Sequence, residues 1–277
     1  MENNKPRIPN QNQALLVVIL TGAMIIFAAM ISILLGLQKS QFLLIEGMTI
    51  LPALVYAIRK DFSLVETFRL KTIQPNIIIT SIFLGFALSV LADEADRLVA
   101  IFFPMPDAFQ EMLKQAMEFS GTAEFTSLVF SAVVLAGICE EMLFRGFLQK
   151  SFEHAFDVTK AIMLTSLIFA VVHLNPWWTI QIIVFAIFLG VMAWKSDSIF
   201  PSIIAHSINN AMALVFWNVK DTDISWYLSG DHVNPFIIIA AIIVMVIGFQ
   251  QFYRYCDEQK RQISSGPHDQ DWNHSIR

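Results

Sequence analysis

The chain has 277 residues, of which 56% are hydrophobic and only 15% charged, and its mean hydropathy is +0.59. Soluble domains carry about 25% charged residues, so this composition excludes an ordinary soluble domain and indicates a membrane protein. The net charge of −5 comes without a basic cluster, which argues against nucleic-acid binding. The two cysteines form no CxxC pair and indicate neither a disulfide framework nor a zinc knuckle.

Apolar runs divide the chain into a series of predicted transmembrane helices, each near the length of about 20 residues that spans a bilayer. The first run is far longer than the apolar core of a signal peptide, so it is interpreted as a retained helix. The sequence therefore predicts an all-α fold, a polytopic integral membrane helical bundle of about eight transmembrane helices. The membrane domain covers residues 14–253, between polar tails at 1–13 and 254–277. The predicted spans are residues 14–37, 41–58, 76–92, 125–144, 161–174, 177–194, 199–217 and 235–253.

The positive charges predict an orientation for this bundle. If the N-terminus lies inside, the outer segments hold only Lys39, Arg97, Lys114 and Lys220, and the other 14 of the 18 lysines and arginines lie inside. Cytoplasmic loops of membrane proteins carry such an excess. We therefore expect both termini to be cytoplasmic.

Two further acidic features of the sequence are the connection at residues 93–124 and the single residue Glu46. Residues 93–124 form an acidic connection, in which 107–120 carries apolar side chains at helical spacing. This pattern predicts an amphipathic helix on the membrane surface or over the bundle. Glu46 lies near the beginning of the second predicted span and is interpreted as a carboxylate at the headgroup level.

The fourth span contains the most unusual stretch of the chain, Glu140-Glu141-Met-Leu-Phe-Arg145. Ionisable residues are costly in hydrocarbon and are candidate functional residues wherever they occur in a span. Glu141 and Arg145 are spaced i, i+4 and can pair on one helix face. Glu140 points elsewhere and needs another partner.

Two later spans carry polar groups that could meet Glu140. His173 follows Phe169 by four residues at the end of span five, and His206 and Asn210 share one face of span seven. Each pair alone has a structural interpretation, because such side chains also link helices by hydrogen bonds. Together they predict a polar cavity between spans four, five and seven.

The three motifs, Glu140-Glu141-xxx-Arg145, Phe169-xxx-His173 and His206-xxx-Asn210, resemble the signature of the CAAX protease and bacteriocin-processing (CPBP, or ABI) family of intramembrane glutamic proteases. The motif region covers residues 125–217. The resemblance implies a membrane endopeptidase without cofactor or metal, acting on a peptide or protein substrate in or near the bilayer. The compact plan resembles bacterial members, which implies a bacterial plasma membrane. Substrate identity and oligomeric state stay open.

The same resemblance implies a role for each residue. Glu140 would be the general base that activates water, and His173 would bind and orient that water. His206 and Asn210 would donate N–H groups to the oxyanion. Glu141 and Arg145, with Phe169 beside them, would support the site as a structural pair.

Other functions stay possible at this point. Glu140, Glu141, His173 and His206 could form a zinc site, although no HExxH motif occurs. A rhomboid-type serine protease is disfavoured because Ser207 adjoins His206 and cannot share its helix face. No Asp lies in a predicted span, which excludes an aspartyl pair. A non-proteolytic bacteriocin-immunity or scaffold protein could keep the same polar site.

One feature of the predicted spans conflicts with a site that unites Glu140 and His173. His173 lies 13 residues beyond Lys160, about 20 Å along a helix, whereas Glu140 lies five residues before Arg145. The two groups would then sit at different depths. Either the turn at residues 149–160 dips into the protein, or span five is short and tilted, or the predicted boundaries are wrong. We favour a displaced fifth span, with a cavity that opens to the cytoplasm.

Overall fold

A computed structural model describes residues 8–35 and 41–265, and there the chain is helical apart from loops and one two-stranded hairpin. The predicted all-α polytopic bundle is confirmed. The hairpin pairs β1 (Leu228–Ser229) with β2 (His232–Val233). The helices are α1 (Gln11–Leu34), α2 (Gln41–Arg59), α3 (Leu64–Thr67), α4 (Pro75–Phe102), α5 (Asp107–Met117), α6 (Thr122–Glu153), α7 (Val158–Val172), α8 (Thr179–Ser196), α9 (Phe200–Asn218) and α10 (Pro235–Ser264).

The predicted count of eight spans is not confirmed. In the described ranges, six helices are long and apolar enough to cross a membrane, namely α1, α2, α4, α6, α8 and α10. Helix α7 is apolar but has only 15 residues. Helix α9 is not in that group, and it carries the polar residues of the third motif. The predicted end of the first span at residue 37 lies outside the described residues, as do residues 1–7 and 266–277 of the tails.

Helix α6 extends well beyond its predicted end at residue 144 and reaches Glu153. Two of the polar residues that suggested a turn there donate hydrogen bonds inside the protein. Buried Gln149 donates from Nε2 to the Gly190 carbonyl at 3.0 Å, and buried Ser151 donates to the Phe147 carbonyl at 2.7 Å. Polar residues with internal partners can therefore continue a buried helix.

This extension removes the conflict of depth between Glu140 and His173. Glu140 lies 13 residues before the end of α6 at Glu153, and His173 lies 15 residues after the start of α7 at Val158. At the helical rise, both are about 20 Å from the connection between the two helices. The predicted displacement of span five is therefore not needed, since the error lay in the boundary of span four.

Helix α4 is also longer than predicted, and its last turns include Asp93, Asp96 and Arg97. The predicted acidic connection therefore starts later, and the statement that no span contains Asp is wrong. Asp93 already has two partners. Arg97 donates to it from Nε at 3.2 Å, and the Tyr227 hydroxyl donates at 2.8 Å.

Helix α5 confirms the predicted amphipathic helix, with bounds Asp107–Met117, and none of its side chains is buried. Two contacts hold it against the bundle. The Phe109 ring lies 4.8 Å from the Trp177 ring, and Asn218 donates from Nδ2 to the Met117 carbonyl at 3.0 Å. It lies across one end of the bundle as a surface helix.

Two apolar cores support the bundle, and α8 contributes to both. The first core lies between α1, α2, α6 and α7 and includes Phe147 and Phe169. The second lies between α4, α8, α9 and α10 and includes Leu84 and Leu189. A Cβ on Gly85 would lie 2.9 Å from the Ala205 Cα, so α4 and α9 approach closely because position 85 has no side chain.

An ion-pair network, which we call the Asp197 cluster, lies at the end of the bundle where α4 begins. Arg69, 3% exposed, pairs with Glu153 and Asp197 and donates to the Arg145 carbonyl at 3.2 Å. Burial would raise the pKa of Asp197, but the hydrogen bond from Lys71 and the nearby positive charges hold that pKa below its ordinary value. The cluster consists of Glu66, Arg69, Lys71, Lys150, Glu153 and Asp197.

Candidate active site

Two π-helical segments flank the pair of glutamates on α6. They are Val129–Leu135 and Met142–Leu148, and a short α-helical stretch, Ala136–Glu141, lies between them. A π-helical turn is wider than an α-turn, and such insertions are rare and frequent at functional sites. The local backbone of α6 is therefore irregular on both sides of Glu140 and Glu141.

Glu141 belongs to a closed group of side chains that we call the Arg145 cluster. Its Oε1 accepts from Arg145 Nη1 at 2.7 Å, and these two side chains are 0% and 1% exposed. The Arg145 guanidinium stacks over the Phe169 ring, with Cζ 4.2 Å from the ring centre. Its Nη2 donates to the Ala186 carbonyl at 3.4 Å. The cluster joins α6, α7 and α8 through Glu141, Arg145 and Phe169.

The two histidines link this cluster to Glu140. His206 Nδ1 lies 2.9 Å from Glu141 Oε1, and His173 Nδ1 lies 2.6 Å from the Phe169 carbonyl. Both contacts are with oxygen acceptors, so each Nδ1 carries a proton and donates. The other nitrogen of each ring, Nε2, faces Glu140. Glu140 Oε2 lies 3.8 Å from His173 Nε2 and 3.9 Å from His206 Nε2.

Glu140 lies on the wall of a cavity of about 480 Å³, the Glu140 cavity. Its side chain is 16% exposed, and its Oε2 is buried with no hydrogen-bond partner among the described residues. The distances to the two Nε2 atoms are longer than a hydrogen bond, so Glu140 Oε2 is bonded to neither imidazole. The lining includes Glu46, Asp96, Glu140, His173, His206 and Asn210.

Asn210 lines the same cavity but also anchors α9 to the first π-helical segment. It donates from Nδ2 to the Ala132 carbonyl at 2.8 Å, and the Ser207 hydroxyl donates to the Val133 carbonyl at 3.0 Å. A Cβ on Gly137 would collide with the Ser207 hydroxyl and displace it from the Val133 carbonyl. One N–H of the Asn210 amide is thus used inside the protein, and the amide has a second.

The structure brings together all seven residues selected from the sequence. Glu140, His173 and His206 converge at the cavity, and Asn210 lies on its wall. Glu141, Arg145 and Phe169 pack behind the two imidazoles, and Phe169 contacts both rings, at 4.6 Å from His173 and 5.9 Å from His206. The structure shows where these residues lie, and their catalytic roles stay predictions.

Glu46 is the residue whose place sequence reasoning missed. The structure places it in α2 on the wall of the Glu140 cavity, with Oε2 buried and without a hydrogen-bond partner among the described residues. The interpretation as a headgroup carboxylate rested on its closeness to the predicted end of the span. The rule that singled out Glu140, a carboxylate within an apolar run, also applies to Glu46.

The zinc site that the sequence allowed is not assembled as four ligands. Glu141 contacts Nδ1 of His206, whereas Glu140 faces Nε2 of the same ring, so the two carboxylates lie on opposite sides of the imidazole. Across residues 8–35 and 41–265, no group of three or more His, Cys, Asp and Glu side chains is arranged to hold a metal ion.

Comparison with known families identifies the central part of the chain. Residues 122–212 match the family described as type II CAAX prenyl endopeptidase, Rce1-like. The match runs from the start of α6 into α9 and includes all three motifs, so it confirms the resemblance predicted from them. Neither the curated proteins nor the solved structures contained a match to the chain.

Proposed function

We propose that this integral membrane protein, with its Rce1-like domain at residues 122–212, is an endopeptidase in which Glu140 activates water without a metal ion. The family match supports a CAAX-protease-like peptidase in a membrane setting. The mechanism and the roles of the residues are our proposal. The observation that carries it is the convergence of Glu140 Oε2 with the Nε2 atoms of His173 and His206 at the cavity.

The first step would be attack by water on the scissile carbonyl. His173 donates from Nδ1 to the Phe169 carbonyl, so its Nε2 is an acceptor that can hold one hydrogen of the water. Glu140 Oε2 would take the other hydrogen as the water oxygen bonds to the carbonyl carbon. A carboxylate within hydrogen-bond reach of such a water acts as a general base.

The electron pair of the carbonyl would then move to its oxygen and need hydrogen-bond donors. The second N–H of Asn210 is one donor, on an amide that its bond to the Ala132 carbonyl holds in place. His206 would be the other through Nε2–H, with the ring protonated at both nitrogens and Nδ1–H donating to Glu141. Each such donor contributes roughly 10²–10³ to the rate in comparable sites.

Collapse of this intermediate would break the C–N bond. The electron pair goes to nitrogen, which must gain a proton to leave as an amine. The proton taken from water is available for this transfer, so the reaction produces one new carboxyl and one new amino terminus. The substrate would be a peptide or protein in or near the membrane, since the cavity lies within a bundle of membrane helices.

Cleavage by purified protein in proteoliposomes tests the proposal. The substrates are an internally quenched farnesylated CAAX peptide, its unprenylated counterpart and a pool of quenched apolar peptides. Glu140→Gln should abolish cleavage and leave the melting temperature unchanged, whereas Glu118→Gln, which changes an exposed glutamate directly after α5, should cleave normally. Normal cleavage by Glu140→Gln would show that another group activates the water.

The same assay separates this mechanism from the two alternatives. Activity should persist after dialysis against a chelator, and the protein should contain no stoichiometric zinc. Loss of activity with one zinc per chain, reversed by added zinc, would favour a metalloprotease. A scaffold or immunity protein would cleave none of the substrates, and wild type and Glu140→Gln would be indistinguishable.

The orientation and the membrane belong to the same proposal. We expect a bacterial plasma membrane with both termini cytoplasmic, because 14 of the 18 positive residues then lie inside. A single cysteine introduced at Lys260 should resist an impermeant thiol reagent in intact cells, and one at Lys114 should react. The opposite pattern would reverse the orientation.

A further inference from the structure

We propose that Glu46 is a second catalytic carboxyl group, which lines the same cavity as Glu140 in its neutral form and donates its proton to the leaving amine. The inference rests on the proposed function and extends it. Glu46 belongs to α2, outside the matched residues 122–212, so the comparison with known families says nothing about it. The argument depends on the position, burial and neighbours of its carboxyl group.

The position of Glu46 follows from the packing of α2 against α6. Helix α2 contacts the first π-helical segment, the Glu140 stretch and the second π-helical segment. Glu46 and Glu140 line the same cavity, and each has its Oε2 buried without a hydrogen-bond partner among the described residues. Two carboxyl groups on neighbouring helices therefore line one cavity.

The charges around Glu46 leave it without a compensating cation. On the face of α6 that packs against α2, the titratable groups that interact electrostatically with Glu46 are Glu140 and Cys139. The described part of α1 and the first π-helical segment carry no titratable side chain. Other elements of the cavity wall bring Asp93, Asp96, Arg97, His173 and His206, and Arg97 is paired with Asp93.

Two partly buried carboxyl groups in one cavity cannot both be ionised at low cost. When one is charged, repulsion and burial favour the neutral form of the other, so such a pair holds one proton near neutral pH. Glu140 lies nearer the two imidazoles and takes the charged role of base. Glu46, which has no imidazole contact among the described residues, takes the neutral role of acid.

This assignment changes the source of the proton that the leaving amine receives and keeps the reaction balanced. Glu140 takes a proton from water as the new C–O bond forms. The C–N bond then breaks, its electron pair goes to nitrogen, and the Glu46 carboxylic acid supplies the proton that nitrogen needs. Glu140 is now neutral and Glu46 ionised, and transfer of one proton from Glu140 to Glu46 restores the starting state.

Glu46→Gln and Glu46→Asp test the inference, with Glu118→Gln as the matched control. Glu46→Gln keeps the size and hydrogen bonding of the side chain but has no acidic proton. We expect kcat to fall by about 10²-fold or more, the usual contribution of a general acid, with KM nearly unchanged. The alkaline limb of the kcat profile against pH should disappear, and Glu46→Asp should restore that limb and part of the rate.

An infrared measurement gives a readout that does not require turnover or a stable Gln variant. The wild-type protein at neutral pH should show the C=O stretch of a protonated carboxylic acid, which Glu46→Asp shifts and Glu46→Gln removes. An unchanged band in both variants would overturn the inference, as would a Glu46→Gln enzyme with wild-type kcat and both pH limbs. If Glu140→Gln is inactive in that case, the proposed function survives without Glu46. If Glu140→Gln also cleaves, the proposed function itself fails.

Discussion

Glu140 and Glu141 are adjacent in the chain, yet they belong to regions with opposite character, the Glu140 cavity and the Arg145 cluster. In the cluster, one oxygen of Glu141 accepts from both Arg145 and His206, and the side chains are inaccessible to solvent. In the cavity, Glu140 Oε2 has no hydrogen-bond partner among the described residues and lies beyond bonding distance of two imidazoles.

The difference indicates what each region can do. The Glu141 carboxylate is paired with Arg145, contacts His206 and is shielded from solvent, so it has little access to other proton donors or acceptors, and the Arg145 cluster fixes the positions of His206 and Phe169. The Glu140 carboxylate instead lines the cavity, where it can accept a proton from a water or a substrate. Neighbouring residues on a helix point about 100° apart, so Glu141 supports the fold whereas Glu140 faces the cavity.

The largest expected effect is on stability and comes from the Arg145 cluster. Arg145→Ala leaves Glu141 buried without its cation, which should lower the free energy of unfolding by about 3–5 kcal/mol. Glu140→Gln, in the cavity, should change it by about 1 kcal/mol or less because no ion pair is broken. Unfolding in mixed detergent micelles measures both.

Arg145→Lys is the matched control for this comparison. It keeps the positive charge but loses the flat guanidinium that stacks on Phe169 and the second donor to the Ala186 carbonyl. We expect a loss of stability between those of wild type and Arg145→Ala. Equal stability of all three proteins would mean that the pair does not support the fold.

The next effect is on turnover and comes from Asn210. Asn210→Ala should lower kcat by roughly 10²–10³ with KM nearly unchanged, because the second amide N–H would act mainly in the transition state. It should also lose about 1 kcal/mol of stability, since the bond to the Ala132 carbonyl disappears.

Asn209→Ala is the control, because Asn209 lines the same cavity one residue away. Steady-state cleavage and melting temperature, measured on both variants, separate the two roles. Should Asn210→Ala lower only the melting temperature, Asn210 would belong with the Arg145 cluster as a structural residue.

The smallest expected effect is a pH dependence of the Asp197 cluster. The pKa of Asp197 is lower in the folded protein than its ordinary value, so its contribution is present above the unfolded pKa of about 3.9. The contribution is lost as the pH falls through the folded pKa. Because the Asp197 side chain is 37% exposed, we expect no more than about 1 kcal/mol.

Thermal unfolding between pH 7 and pH 3 tests this effect. Asp197→Asn should reduce the stability at pH 7 and flatten its loss at low pH, whereas the exposed Asp223→Asn should follow the wild-type curve. Parallel curves for wild type and Asp197→Asn would show that the cluster makes no pH-dependent contribution.

The three motifs could be predicted from the sequence because the bilayer makes polar residues informative. A carboxylate, an imidazole or an amide in an apolar run must find a partner, so its spacing on a helix is constrained. This reasoning selected Glu140, His173, His206 and Asn210, which do converge. The same reasoning also selects Glu46. That residue was instead interpreted as a headgroup carboxylate, because it lies near the beginning of its predicted span.

The amino-acid sequence by itself determined the helical class, the apolar runs and the order of the motifs, because hydropathy and i, i+4 spacing are local properties. The tertiary structure alone decided the length of α6, since Gln149 and Ser151 continue the helix only where partners from the surrounding structure and from the preceding turn satisfy them. It also decided that Glu141 is closed off, whereas Glu140 shares a cavity with Glu46. These outcomes depend on contacts between residues far apart in the chain, which no local pattern records.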